Sequence, residues 1–176
     1  MRSRLDRRDT LVEAIRAANA TLDPHRVAAW LVQQAESWIS APCWVVVAHD
    51  MNGQLTVIAE QGLTPPLGPA LWSAANWVMF HGTEFFAGDL EEDSRSSNGA
   101  TGSVIAFPLV CRQRTVGVLV GVDPVPSTAV PSPGAALTVA LRTVLEPPAI
   151  ALDNALALQK AEALSVTDDL TRLYNS

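Results

Sequence analysis

Hydrophobic positions along the chain change period several times, and each change marks an element. From the arginine-rich start to Ala20, Leu5, Leu11, Val12 and Ile15 recur at helical spacing. Asp23-Pro24 then supplies an N-cap followed by proline at the first helical position, which predicts a second helix running to about Ser40. Its apolar stripe is Val27, Trp30, Leu31, Ala35, Trp38 and Ile39, while Arg26, Gln33, Gln34 and Glu36 lie largely off that face, as expected of a helix packed on a sheet. Residues 43–48 form a valine-rich run too short for a helix, and Asn52-Gly53 is a strong hairpin turn before Leu55, Val57 and Ile58, so two antiparallel strands are predicted.

Past Gly62 the chain is punctuated by Pro65, Pro66, Gly68 and Pro69, and a short helix is predicted over residues 70–80, carrying Trp72 and Trp77, with a short strand over 84–87. Residues 89–102 are polar and rich in turn formers, and read as a loop rather than core. Residues 104–110 and 116–122, around a turn at 111–114, form the strongest hairpin and are read as central strands. Four prolines between Pro124 and Pro133 break the pattern before a long helical tract from Ala135 toward Leu173. Pro147-Pro148 removes two backbone donors from that tract, which predicts a kink or restart and a natural hinge.

Within the tract a seven-residue repeat starts at Leu145: Leu145, Ala149, Leu152, Leu156, Gln159, Ala163, Val166, Leu170 and Leu173 alternate by four and three. A 3.5-residue period favours a two-stranded left-handed coiled coil, hence a homodimer, in which Gln159 at a seam position fixes the register at some loss of stability. An amphipathic helix packed on its own domain has the same stripe, and the two readings stay open at this point.

Composition narrows the function classes. With 176 residues of which 48% are hydrophobic, the chain holds one domain that buries about 70% of its unfolded surface, plus connecting helices. Twelve Lys and Arg against 18 Asp and Glu give a net charge of −6, so no general attraction to nucleic acid or anionic lipid is expected. Arg2, Arg4, Arg7 and Arg8 read as a solvated helix start; no apolar segment of the signal-peptide kind follows them, and no uninterrupted apolar run reaches the ~18 residues that cross a bilayer. A cytoplasmic location without a membrane partner is expected. Cys43 and Cys111 lack metal or redox spacing and read as free buried thiols.

Two resemblances organise these elements. Asp168-Asp169-Leu170-Thr171-Arg172-Leu173-Tyr174-Asn175 fits the pattern D-x-L-T-x-L-x-N and resembles the opening of the GGDEF domain of diguanylate cyclases, with Asp168, Leu170, Thr171, Leu173 and Asn175 on the motif and Arg172 where glycine is commonest. In that family the motif caps the signalling helix and starts the domain that condenses two GTP into cyclic di-GMP. Gly82-Thr83-Glu84-Phe85 looks like the hairpin that names the family but lies upstream of the motif, and reads as a loop leading into a strand. The order of the preceding elements resembles a GAF domain, a PAS-like sensory α+β fold with a central antiparallel sheet of five to six strands flanked by helices and a long C-terminal signalling helix. The segments that carry this are Thr21-Leu22-Asp23, residues 59–62, Phe107-Pro108-Leu109, Val116-Gly117-Val118-Leu119 and residues 149–155. The implied organisation is an N-terminal helix over 1–20, a GAF sensory domain over 21–146, a signalling helix over 147–167 and the start of a truncated GGDEF domain over 168–176. The fragment itself is then not an enzyme, and its parent is a diguanylate cyclase with the GGDEF output domain in cis.

By the same resemblance the ligand pocket lies on one sheet face beneath residues 67–102, where Trp72, Trp77, Phe80 and Phe86, with Phe107 from the sheet, supply apolar area and His81, Asp89, Asp93 and Arg95 directional contacts. No cofactor is predicted, and the small-molecule ligand is unspecified. Covalent bilin needs a cysteine in that cover and there is none; the cyclic-nucleotide signature of phosphodiesterase-type GAF domains needs a lysine there and there is none; His81 is the only covering histidine that could ligate haem. Cys43 and Cys111, in different hairpins, do not reproduce the cysteine cluster of free methionine sulfoxide reductases, which some GAF domains resemble. The alternative function is a GAF spacer that dimerises without a ligand.

Overall fold

The computed structural model describes residues 23–97, 99–127 and 134–175, with the backbone alone at 167, 168, 174 and 175; the helix predicted over 1–20 and most of the proline-rich break lie outside the described residues. Helix α1 (Pro24–Trp38) begins where its capping chemistry places it. Asp23 accepts the His25 backbone N–H at 3.0 Å, and Pro24 fills the first position, where no donor is needed. Strands β1 (Cys43–His49) and β2 (Leu55–Gln61) follow as a hairpin; Asp50 Oδ1 accepts the backbone N–H groups of Asn52 and Gln54 at 2.8 and 2.9 Å, and Gly53 takes the left-handed conformation of the turn.

A 3₁₀ turn (Pro65–Leu67) leads into α2 (Gly68–His81), then β3 (Phe85–Ala87), β4 (Ser103–Cys111), β5 (Arg114–Asp123) and α3 (Ala135–Asn175). The β4–β5 connection is a two-residue turn with both Arg112 and Gln113 at positive φ, the type whose twist matches the flanking strands. The five strands form one antiparallel sheet in the order β2-β1-β5-β4-β3. The expected architecture is therefore present, with β5 at its centre.

Both faces of this sheet are covered, which is why β1 and β5 read as nearly unbroken apolar runs rather than alternating ones. On one face Trp44, Val46, Ile105, Phe107, Leu109 and Leu119 pack against α1 and α3. On the other, Val45, Val47, Ala106, Val118 and Val120 pack against α2 and the segment around Leu90. Loop 89–102 is thus not wholly outside the core: Leu90 and Ala100 are buried within it, and Leu90 donates its N–H to the Gly102 carbonyl. Polar content located the loop but concealed its apolar anchors.

Helix α3 does not restart at Pro147-Pro148, which it crosses without interruption. Each proline withholds one intrahelical donor, yet Leu145, Pro148, Ala149 and Leu152 are all buried against the core, so tertiary packing holds helical geometry on both sides of the pair. Leu152 sits over Gly117, where an added Cβ would come within 3.4 Å of the leucine and 2.8 Å of the Val47 carbonyl oxygen; glycine there lets helix and strand approach closely. Leu145, Ala149 and Leu152 therefore close this domain's own core and are not open to a coiled-coil seam, a correction to the heptad read from Leu145. From Leu156 onward the stripe emerges: Val166 is 60% and Leu170 53% exposed. By length and composition alone the helix is apolar enough to cross a bilayer, with a mean hydropathy of 1.4 over its most apolar window, but its inner apolar residues are seated on the sheet.

This division predicts contrasting stabilities. Leu152→Ala is expected to lower the unfolding free energy by about 2–5 kcal/mol through the cavity it leaves, whereas Leu170→Ala changes it by less than about 0.5 kcal/mol. Urea unfolding followed by circular dichroism measures both, and a similar small loss in each would contradict the seating of α3.

Candidate functional site

The space beneath α2 is filled by protein. Ala70, Ser73, Ala74 and Ala75 give that helix a small-residue underside that sits close to the sheet, and Leu71, Val78, Phe85 and Leu90 are buried in the gap. The residues expected to line a pocket there separate. Trp72 and Trp77 are half-buried against this core, Phe80 points to solvent with 85% exposure, and Phe107 is buried on the opposite face with α1 and α3. Strand alternation sends Ala106 toward α2 and Phe107 away from it, so Phe80 and Phe107 are both corrected out of a pocket on this side.

The polar candidates are committed to local structure. His81 is exposed, donates from Nδ1 to the Trp77 carbonyl at 2.9 Å and stacks on the Trp77 ring at 4.0 Å between centroids. Asp89 Oδ1 accepts the Glu91 backbone N–H at 3.0 Å, which shapes the turn. Arg95 donates to Asp93 Oδ2 at 2.7 Å and to the Phe86 carbonyl at 2.8 Å, and its guanidinium lies 4.2 Å from the centroid of Phe85. The hydrogen bonds from Arg95 hold the Asp93 carboxyl below the ordinary carboxylate range, with burial opposing. Glu84, whose side chain is almost wholly covered, is held low in the same way by Arg142 of α3, which donates from Nε to Oε1 and from Nη2 to Oε2, the latter at 2.7 Å. That pair ties the start of β3 to α3.

An open site lies on the other face. A cleft of about 570 Å³ is bounded by the start of α1 at Pro24 and His25, the β1–β2 turn at Asp50 and Met51, the start of β5 at Arg114 and Thr115, and α3 from Asp153 to Lys160. The volume falls within the ~300–1,000 Å³ of small-molecule sites. Ile58, Val116 and Leu156 give it an apolar interior, and His49 and Gln159 complete the polar lining. Since a carbonyl only accepts, His25 donates from Nδ1 to Ile58 O at 3.1 Å and His49 from Nδ1 to Gly53 O at 3.0 Å, which leaves Nε2 of each ring outside these bonds. Asp153 is paired with Arg114 at 3.0 Å. None of His25, Arg114, Asp153 or Lys160 was singled out as a site residue from sequence, because three elements contribute them; the available signals were that Lys160 is the chain's one lysine and that Gln159 alone interrupts the apolar stripe of α3. Among the described residues no group of three or more His, Cys, Asp and Glu side chains is placed to hold a metal ion.

No protein-family model matches the chain, and no curated protein matches it by sequence. Solved structures do. The GAF domain of a phosphoenolpyruvate-protein phosphotransferase from Coxiella burnetii superposes with a TM-score of 0.65 at 14% identity, over 88% of this chain and 97% of that one. The GAF domain of the Acinetobacter phosphoenolpyruvate-protein phosphotransferase gives 0.64 at 18% identity, over 85% and 93%. The chain has the GAF fold. A free methionine-R-sulfoxide reductase from Neisseria meningitidis in complex with its substrate also superposes, with a TM-score of 0.63 at 14% identity over 85% of this chain and 89% of that one. The likeness is one of fold. In this GAF fold Cys43 and Cys111 lie on opposite sheet faces, and their β5 partners, Val122 and Arg114, are eight residues apart, roughly 27 Å along the strand, so the two thiols cannot act as a pair. Burial, reinforced by Glu60, pushes the Cys43 thiol up to about 11, and burial likewise raises Cys111.

Two measurements follow. At pH 8 a thiol-specific disulfide reagent is expected to label the native chain at least about 100-fold more slowly than the unfolded chain, because both thiols are buried and protonated; fast native labelling of either would contradict their placement. Glu84 and Asp93 have depressed folded-state values, so the stability they contribute is present at neutral pH and lost as pH falls below the ordinary carboxylate range through those lower values. Thermal melts from pH 7 to 3 should show Arg142→Gln less stable at pH 7 but with a shallower acid loss than the parent; parallel curves would rule out the pair as a source of the pH dependence.

Proposed function

We propose that this GAF domain is the sensory and regulatory module of a diguanylate cyclase, acting as a cytoplasmic homodimer whose paired α3 helices set the geometry of GGDEF output domains joined to them in cis. The observation that carries the reading is the course of one apolar stripe. It is seated on the domain's own core through Leu152, emerges at Leu156, and continues exposed through Val166, Leu170 and Leu173 into the residues that resemble the GGDEF opening. A second copy covers such a stripe naturally; Leu156 and Gln159 line a cleft of this domain, so the seam runs from Ala163 through Val166 and Leu170.

Asp168-Asp169-Leu170-Thr171 does not cap the helix as expected from the resemblance, since helix α3 runs on to Asn175. The motif therefore receives the rotation of α3 with no break before it. Two product-forming half-sites that must face one another would respond to that rotation. A second reading, a GAF spacer that dimerises without a ligand, is favoured by the tight filling beneath α2.

Val166 and Leu164 are almost equally exposed, at 60% and 63%, but only Val166 lies on the seam. Under mild oxidation Val166→Cys is expected to form a disulfide-linked dimer at least about tenfold faster than Leu164→Cys. Equal rates, or no crosslink with either, would dismiss the paired helix. The protein with its downstream domain should form cyclic di-GMP from GTP, and Leu170→Glu should reduce that synthesis by about tenfold or more while leaving the melting of the GAF domain unchanged; a protein inert toward GTP would sink the cyclase reading.

A further inference from the structure

The cleft between the β1–β2 turn and α3 gathers donor groups that neither packing nor the proposed pairing of helices uses. Its two carboxylates are engaged: Asp50 holds the turn through two backbone N–H groups, and Asp153 holds Arg114. The groups with hydrogen-bonding capacity to spare are of the opposite kind. Lys160 carries three N–H donors, Arg114 keeps guanidinium N–H groups beyond the one given to Asp153, and its side chain is 72% exposed. His25 and His49 each donate from Nδ1 to a backbone carbonyl and keep Nε2 as an acceptor, so the spare donors are those of Lys160 and Arg114. These groups surround an apolar interior of Ile58, Val116 and Leu156.

We infer that this cleft binds a small amphipathic anion, an apolar body bearing a carboxylate, sulfonate or phosphate, with the body against Ile58, Val116 and Leu156 and the anionic group at Lys160 and Arg114. The site lies on the face opposite the filled space under α2. Its α3 wall, Asp153 to Lys160, is the turn at which the helix leaves the sheet, and it includes Gln159, the one polar residue of the stripe. An occupant therefore touches the sensor sheet and the emerging helix together. The inference deepens the sensory reading by naming ligand class and site; binding itself requires neither the dimer nor the output domain.

The probe is 8-anilinonaphthalene-1-sulfonate, with the uncharged N-phenyl-1-naphthylamine as its comparison, titrated into the full chain by fluorescence. The expected result is saturable binding of one sulfonate per chain. Ala157→Trp, a substitution at an exposed position that fills the cleft, and Lys160→Glu should each weaken it about tenfold or more with unchanged thermal melts, while the uncharged probe binds more weakly and ignores Lys160→Glu. Val166→Glu/Leu170→Glu should leave sulfonate binding intact even where it abolishes crosslinking, so loss of the dimer and loss of the site are distinguishable. No saturable binding, binding indifferent to Ala157→Trp, or binding removed by Val166→Glu/Leu170→Glu would overturn the assignment.

Discussion

Helix α3 lies along the sheet with Leu141, Leu145, Ala149 and Leu152 buried, and without it one face of β4 and β5 would be open to water. A central strand as apolar as β5 has no polar face to turn outward, so the seat of α3 is a condition for folding rather than an accessory to it. The same contact fixes the line along which the rest of the helix projects. Stability and the direction of the projecting helix therefore draw on one set of side chains, and the helix cannot shift on the sheet without disturbing a core packed as tightly as an organic crystal.

The two faces of the sheet are built for different tasks. Beneath α2 the alanines at 70, 74 and 75 let the helix close down on β4 and β5, and the outer rim is locked by short polar contacts such as Ser97 N–H to Ser73 Oγ at 2.8 Å. On the opposite face α1 and α3 do not close completely over the sheet, and polar groups from four elements converge at the opening.

Much of the fold was legible because several local rules agreed. The Asp23-Pro24 cap, the Asn52-Gly53 turn and the valine-rich runs of β1, β4 and β5 each specify what the structure contains. The failures share a physical cause, which is that sequence pattern does not say what covers a face. A strand buried on both sides no longer shows which residues point which way, so Phe107 was placed with the wrong helix. An apolar stripe satisfies a partner helix and its own sheet equally, since straight and supercoiled helices drift only about 20° apart per heptad; Leu145 and Leu152 were assigned to the seam for that reason. Pro147-Pro148 predicted a break that burial of Pro148 and Ala149 overrides. The cleft had no contiguous signature because its histidines, arginine and lysine come together only in the fold.

The unbroken passage of α3 through its prolines has a mechanical meaning. At 1.5 Å per residue the 19 residues from 157 to 175 extend about 28 Å beyond the last seated turn. A tilt of about 10° at the seat would sweep the far end through roughly 5 Å, close to the pitch of one helical turn. Interrupted at 147–148, the same rod would lose such a movement in its joint. Continuous, it is a lever whose fulcrum is the sheet, and small displacements at the domain arrive enlarged at its tip.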